Sequence, residues 1–145
     1  MADDPLYRRD LLRLAADATG AGHLPAPDAF GSAHNPACGD RVSVELALSD
    51  GRIAALAHQT QACVLTQASA ALLAAGAAGQ DQAGLARLAD DLRAMLAGGP
   101  PPAPAYAVFD GVAEHPGRHA CVLLPVEAAL KALETPDPHR GGAKG

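Results

Sequence analysis

Apolar positions change their period along the chain, and each change predicts an element. "DPLYRRDLLRLAADATG" places Leu6, Leu11, Leu12 and Leu14 at roughly helical spacing, with Gly20 as a stop. "AGHLPAPDAFGSAHNP" is dense in turn residues and predicts a loop. From Val42 the period falls to two. Val42, Val44, Leu46 and Leu48 share one face, and Ser43, Glu45 and Ala47 share the other, as in a half-buried strand. "SDGR" then supplies Asp-Gly, a strong hairpin signal, and "RIAALAHQTQ" returns, so a hairpin is predicted over residues 42–59.

An alanine-rich helix follows, starting near Cys63 and ending between Gly76 and Gly79. "QAGLARLADDLRAML" puts Leu85, Leu88, Leu92 and Met95 or Leu96 on one face of an amphipathic helix. "GGPPPAPAY" breaks the chain. The last apolar stretch is "CVLLPVEAALKALE", where Pro125 predicts either a kink or a first helical turn. The architecture expected is α+β: a small antiparallel sheet, made of the 42–59 hairpin and one further strand, packed against several helices. Residues 1–134 form one domain on this reading, and the tail 135–145 is expected to be disordered.

Composition narrows the function. A chain of 145 residues can bury a real core, and with 49% hydrophobic but only 3% aromatic residues that core is built from Leu, Val and Ala. A net charge of −5 gives no reason to expect nucleic acid or an acidic membrane surface as partner. No run reaches the ~18 apolar residues of a membrane span. The N-terminus is acidic where a signal peptide is basic, so a cytoplasmic location with reduced thiols is expected. Three cysteines cannot all pair within one chain, which leaves reactivity, metal binding or burial to explain them.

All three fall at element boundaries: Cys38 in the turn "NPACGD", Cys63 between strand and helix, and Cys121 near the start of the final helix. Unpaired amides at a helix N-terminus favour thiolate, the form that binds metal or attacks sulfur. Gly39 can adopt positive φ and let Cys38 and Asp40 aim at one centre. Cys38, Asp40, Cys63 and Cys121 are a four-ligand set suited to tetrahedral zinc, and three sulfurs also suit iron–sulfur chemistry. Arg118, three residues before Cys121, is the candidate supporting cation. Spacing alone leaves the alternatives open. Cysteines 25 and 58 residues apart form no CxxC signature, free cysteine is often a small buried hydrophobe, and Asp40 alone would serve as a turn cap. His34 and His119 read as loop residues and His58 as a strand-end residue, so none is assigned to the site. No oxyanion-hole motif supports a cysteine hydrolase.

"NPACGD", "ACVLTQAS" and "RHACVLL" resemble, in order, the cysteine motifs of the iron–sulfur cluster scaffold family that comprises IscU, SufU and the N-terminal domain of NifU. The similarity runs from about Leu6 to about Leu133 and is nearest the SufU type, through the long segment before the last cysteine and through Arg118. It implies an assembly protein that accepts sulfur from a pyridoxal-phosphate-dependent cysteine desulfurase. Such a protein binds zinc or a transient [2Fe–2S] cluster and serves apo iron–sulfur clients. By the resemblance, Cys38, Asp40, Cys63 and Cys121 are the metal or cluster ligands, Cys121 is the sulfur acceptor, and Arg118 stands beside the site. It implies a scaffold or sulfur acceptor rather than a turnover enzyme, with a zinc-dependent sulfurtransferase as the enzymatic form. The alternative is a structural zinc-binding interaction module without sulfur transfer. Ala62, His58 and Ala120 depart from the family pattern, as does Pro125, and "AEHPG" stands where IscU carries its chaperone-recognised segment.

Overall fold

Period-two patterning and Asp-Gly produce the expected hairpin, slightly longer than 42–59. In a computed structural model, which describes residues 9–36 and 39–134, β2 spans Asp40–Ser49 and β3 spans Arg52–Gln61. Asp50 and Gly51 both take positive φ, 55° and 78°, the conformation that two-residue hairpin turns demand of their central residues. The third strand of the sheet is β1, Ala29–Asn35, antiparallel to β2, and the sheet order is β1-β2-β3. It lies in the segment read as loop from its turn residues, and that reading is corrected here.

Small residues on β1 hid it. Ala29 and Ala33 are buried, and Gly31 lies between them because α4 (His119–Glu134) runs directly against the strand. A Cβ on Gly31 would stand 2.3 Å from the Ala128 carbonyl oxygen and 2.4 Å from the Ala132 nitrogen.

The inward face of β2 is Val42, Val44 and Leu46, as the alternation predicts, with Leu48 half-buried. Its other face is not uniformly solvated. Glu45 is buried there, with one carboxylate oxygen accepting the Leu24 amide (2.8 Å) and the other meeting His23 Nδ1 (2.6 Å). Burial opposes its charge, yet these hydrogen bonds and the His23 ring hold its pKa below the ordinary value. A register shift at Ala47/Leu48 pairs Leu48 with Ile53, and the ladder then sets Val44 opposite His58. His58 is therefore buried, and Gly20–Gly22 closes over it through the His58 amide to the Gly20 carbonyl (3.0 Å) and the Gly22 amide to the His58 carbonyl (2.9 Å).

Helix α1 spans Arg9–Asp17 and buries Leu11 and Ala15, while Leu12 faces solvent and Leu6 lies outside the described residues. Helix α2, Val64–Gly76, buries Leu65, Ala68, Ala71 and Leu73 and packs against α1 and α4. Helix α3, Gln82–Leu96, is capped by Asp81, whose side chain accepts the Gly84 amide, and turns Leu85, Ala89, Leu92 and Met95 inward. After the proline break a 3₁₀ segment, Pro104–Glu114, buries Tyr106, Phe109 and Val112, one residue in three. Helix α4 runs continuously through Pro125, its seventh residue, so the first-turn reading of that proline is not what the fold adopts. Among the described residues no helix is long and apolar enough to cross a membrane. The tail 135–145 lies outside the described residues.

Candidate metal centre

Hairpin register brings the first two site residues together. Arg41 pairs with Gln61, so Asp40 at the start of β2 sits beside the chain that leaves β3 and enters α2 at Cys63. Cys63 is the N-cap of α2, with extended backbone (φ −68°, ψ 170°). Its amide donates to Asp40 Oδ1 at 3.3 Å. Cys121 arrives from α4, as the third residue of that helix. The α2–α4 contact is pinned one residue further on, where the Ser69 hydroxyl donates to the Val122 carbonyl at 2.6 Å. Pro125 lacks the amide that would bond the Cys121 carbonyl four residues earlier.

The carboxylate of Asp40 and the sulfurs of Cys63 and Cys121 all lie within 4.8 Å of one another. Asp40 is 5% exposed and Cys121 1%, whereas Cys63 is half-buried. A carboxylate so shielded, set against two thiols, is a costly arrangement unless hydrogen bonds or a cation compensate it. Two soft sulfurs and one oxygen fit a thiophilic divalent cation or an iron–sulfur unit. Cys38 lies outside the described residues.

The two thiols are hydrogen-bonded to each other. The Cys121 thiol donates toward Cys63, which lowers the Cys63 pKa to about 6 against the opposing effect of burial, with the Thr66 hydroxyl and amide assisting. The same bond, together with burial and the charges of Cys63 and Asp40, pushes Cys121 up.

Thr66 is the residue that sequence reasoning left out. Its hydroxyl donates to Asp40 Oδ2 at 3.1 Å and lies 3.5 Å from Cys63 Sγ. The signal was present in "CVLT", since a polar side chain three residues after a helix N-cap can reach back to the capping residue. Arg118 ends the 3₁₀ turn Pro116–Arg118 immediately before α4, half-buried, with its amide on the His115 carbonyl at 2.8 Å. His119 Nε2 donates to the Ala113 carbonyl, and His34 is exposed on β1. His58 Nε2 bonds the Thr19 carbonyl, so the Nε2 bonds of His58 and His119 go to backbone carbonyls and not to the sulfurs.

Residues 6–113 match the family of NifU-like N terminal domains. That match ends before Cys121, whose place beside Asp40 and Cys63 rests on the fold. Among solved structures, the chain is similar to a nitrogen-fixing NifU-like protein (N-terminal) from Brucella abortus, with 31% identity, a TM-score of 0.83, and 92% of this chain and 96% of that one covered. It is also similar in fold to a candidate iron–sulfur cluster assembly scaffold of the SUF system from the thermophile Fervidobacterium islandicum AW-1. Here identity is 19%, the TM-score is 0.80, and coverage is 90% of this chain and 98% of that one. A search of curated proteins found no match.

Proposed function

The chain belongs to the NifU-like N-terminal domain family, and from that premise we propose that it is an iron–sulfur cluster assembly protein that takes sulfur from a cysteine desulfurase and carries zinc or a nascent cluster. The observation that supports this reading is the convergence of Asp40, Cys63 and Cys121 from three separate elements within 4.8 Å. Cys38, two residues before Asp40, is the fourth ligand. Zinc or a [2Fe–2S] unit is the cargo that this donor set would hold, and apo iron–sulfur proteins are the clients that would receive it. The cytoplasm is its compartment on this reading.

Sulfur acceptance is thiol exchange. Cys121 acts as the nucleophile in its thiolate form, its proton released to solvent. It attacks the terminal sulfur of a desulfurase persulfide. A new S–S bond forms on Cys121, the S–S bond of the desulfurase persulfide breaks, and the desulfurase cysteine leaves as thiolate, with no net oxidation. Arg118, three residues earlier, supplies positive charge beside the accumulating anions.

Elemental analysis of protein purified without added iron, on wild type and Asp40→Ala, tests the site. About one zinc per chain, weakened in the variant, supports zinc-dependent sulfur acceptance. A cluster that forms only on anaerobic reconstitution favours the scaffold role, and no metal under either condition refutes the site. Burial of Cys121, 1% exposed, is the observation that favours the second reading, a structural zinc module. Persulfide transfer to wild type but not to Cys121→Ser eliminates that module, and equal transfer to both removes Cys121 as acceptor.

A further inference from the structure

Thr66 has no accessible surface at all, on the first turn of α2. A hydroxyl in such a place costs free energy unless it is bonded. Within a helix, threonine commonly satisfies itself by bonding back to the carbonyl four residues earlier. Here that carbonyl, on Ala62, receives the Gln67 side-chain amide at 2.9 Å instead. Thr66 is turned the other way, to Asp40 Oδ2 (3.1 Å) and Cys63 Sγ (3.5 Å). Asp40 Oδ1 accepts the Cys63 amide. Both carboxylate oxygens are therefore bonded from one helix end, which orients the carboxylate plane.

We infer that Thr66 is a positioning residue of the metal centre: its hydroxyl locks Asp40 and Cys63 in the mutual orientation in which both present donor atoms to one thiophilic divalent cation. This inference rests on the reading of the site as metal-binding given above. It assigns Thr66 an action through Asp40, the way outer hydrogen bonds orient ligands in metal sites.

The test measures zinc affinity by competition with a chromophoric chelator, and Co2+ absorption as a report on ligand geometry. It uses wild type, Thr66→Val, Thr66→Ser, Asp40→Ala and the Asp40→Ala/Thr66→Val double variant. Thr66→Val keeps the shape and deletes the hydroxyl, and it is expected to weaken zinc by about 10–100-fold and shift the Co2+ bands. Thr66→Ser keeps the hydroxyl and restores wild-type values. In the Asp40→Ala background the valine substitution adds little. Three results overturn the inference: valine equal to wild type, serine as weak as valine (which assigns the effect to methyl packing), or a full valine penalty without Asp40. A wild type that binds neither Zn2+ nor Co2+ refutes the metal reading itself, on an arm that contains no Thr66 variant. Circular dichroism checks folding, and Thr66→Ala repeats the hydroxyl deletion without added bulk if the valine variant does not fold.

Discussion

A buried polar side chain is tolerated only while its partners remain in place, and His58 depends on that condition through pH. Its Nε2 donates to the Thr19 carbonyl and its Nδ1 accepts from the Thr60 hydroxyl, both at 2.9 Å, so the neutral ring is satisfied, and a charged ring would have to be carried in a buried place. Desolvation lowers its pKa below the ordinary 6.5, outweighing the Thr19 bond. The unfolded chain therefore binds a proton first as pH falls. The contribution of His58 to stability is complete above about pH 6.5 and is lost as pH drops through the lower folded-state value. Thermal unfolding between pH 7.5 and 5.5 should show the melting temperature of wild type falling more steeply than that of His58→Gln, which bonds but does not titrate. Parallel slopes would mean that another group governs the acid limb. Burial of this histidine was not legible in "RIAALAHQTQ", because the register shift at Ala47/Leu48 decides which face it joins.

Elements that announce themselves by period were legible, and the one that packs most closely was not. The alternation of β2 and the Leu85, Leu88 and Leu92 spacing of α3 each matched the structure, because a half-buried strand and a surface helix must separate apolar from polar positions. Strand β1 shows Ala29, Gly31 and Ala33 to the core, and such small residues resemble a loop in sequence. Their smallness is what α4 requires. Gly31→Ala would drive a Cβ into α4 backbone atoms, which cannot move as a flexible side chain can. Overpacking of this kind costs ~1–3 kcal/mol or more. Urea unfolding of Gly31→Ala should lose stability in that range, and since α4 carries Cys121, its zinc affinity should fall as well. An unchanged midpoint would show that strand and helix can part without penalty. The 3₁₀ segment gave a weaker signal. Tyr106, Phe109 and Val112 repeat every three residues, but "PPPAP" obscured the run.

The candidate site was legible as motifs and not as periodicity, because its members lie at 40, 63 and 121 and only the folded topology joins them. A cation held there would tie the start of β2, the N-terminus of α2 and the first turn of α4, three parts otherwise joined by the core and by a few hydrogen bonds. Such binding favours the folded state over the unfolded one by RT ln(1 + [L]/Kd), which is about 2.7 kcal/mol at one hundred times Kd. For a single domain of this length, that corresponds to a rise of several degrees in melting temperature. Zinc should therefore raise the melting point of the metal-free wild type, and a chelator should reverse the rise. Asp40→Ala and Cys63→Ser should each show a much smaller gain at the same zinc concentration. Protons compete for the same thiolates, so the gain should shrink as pH falls, with Cys63 holding its charge further into acid than an ordinary thiol. If both variants gain as much as wild type, zinc is bound elsewhere on the chain, and the convergence of these three elements does not define a metal centre.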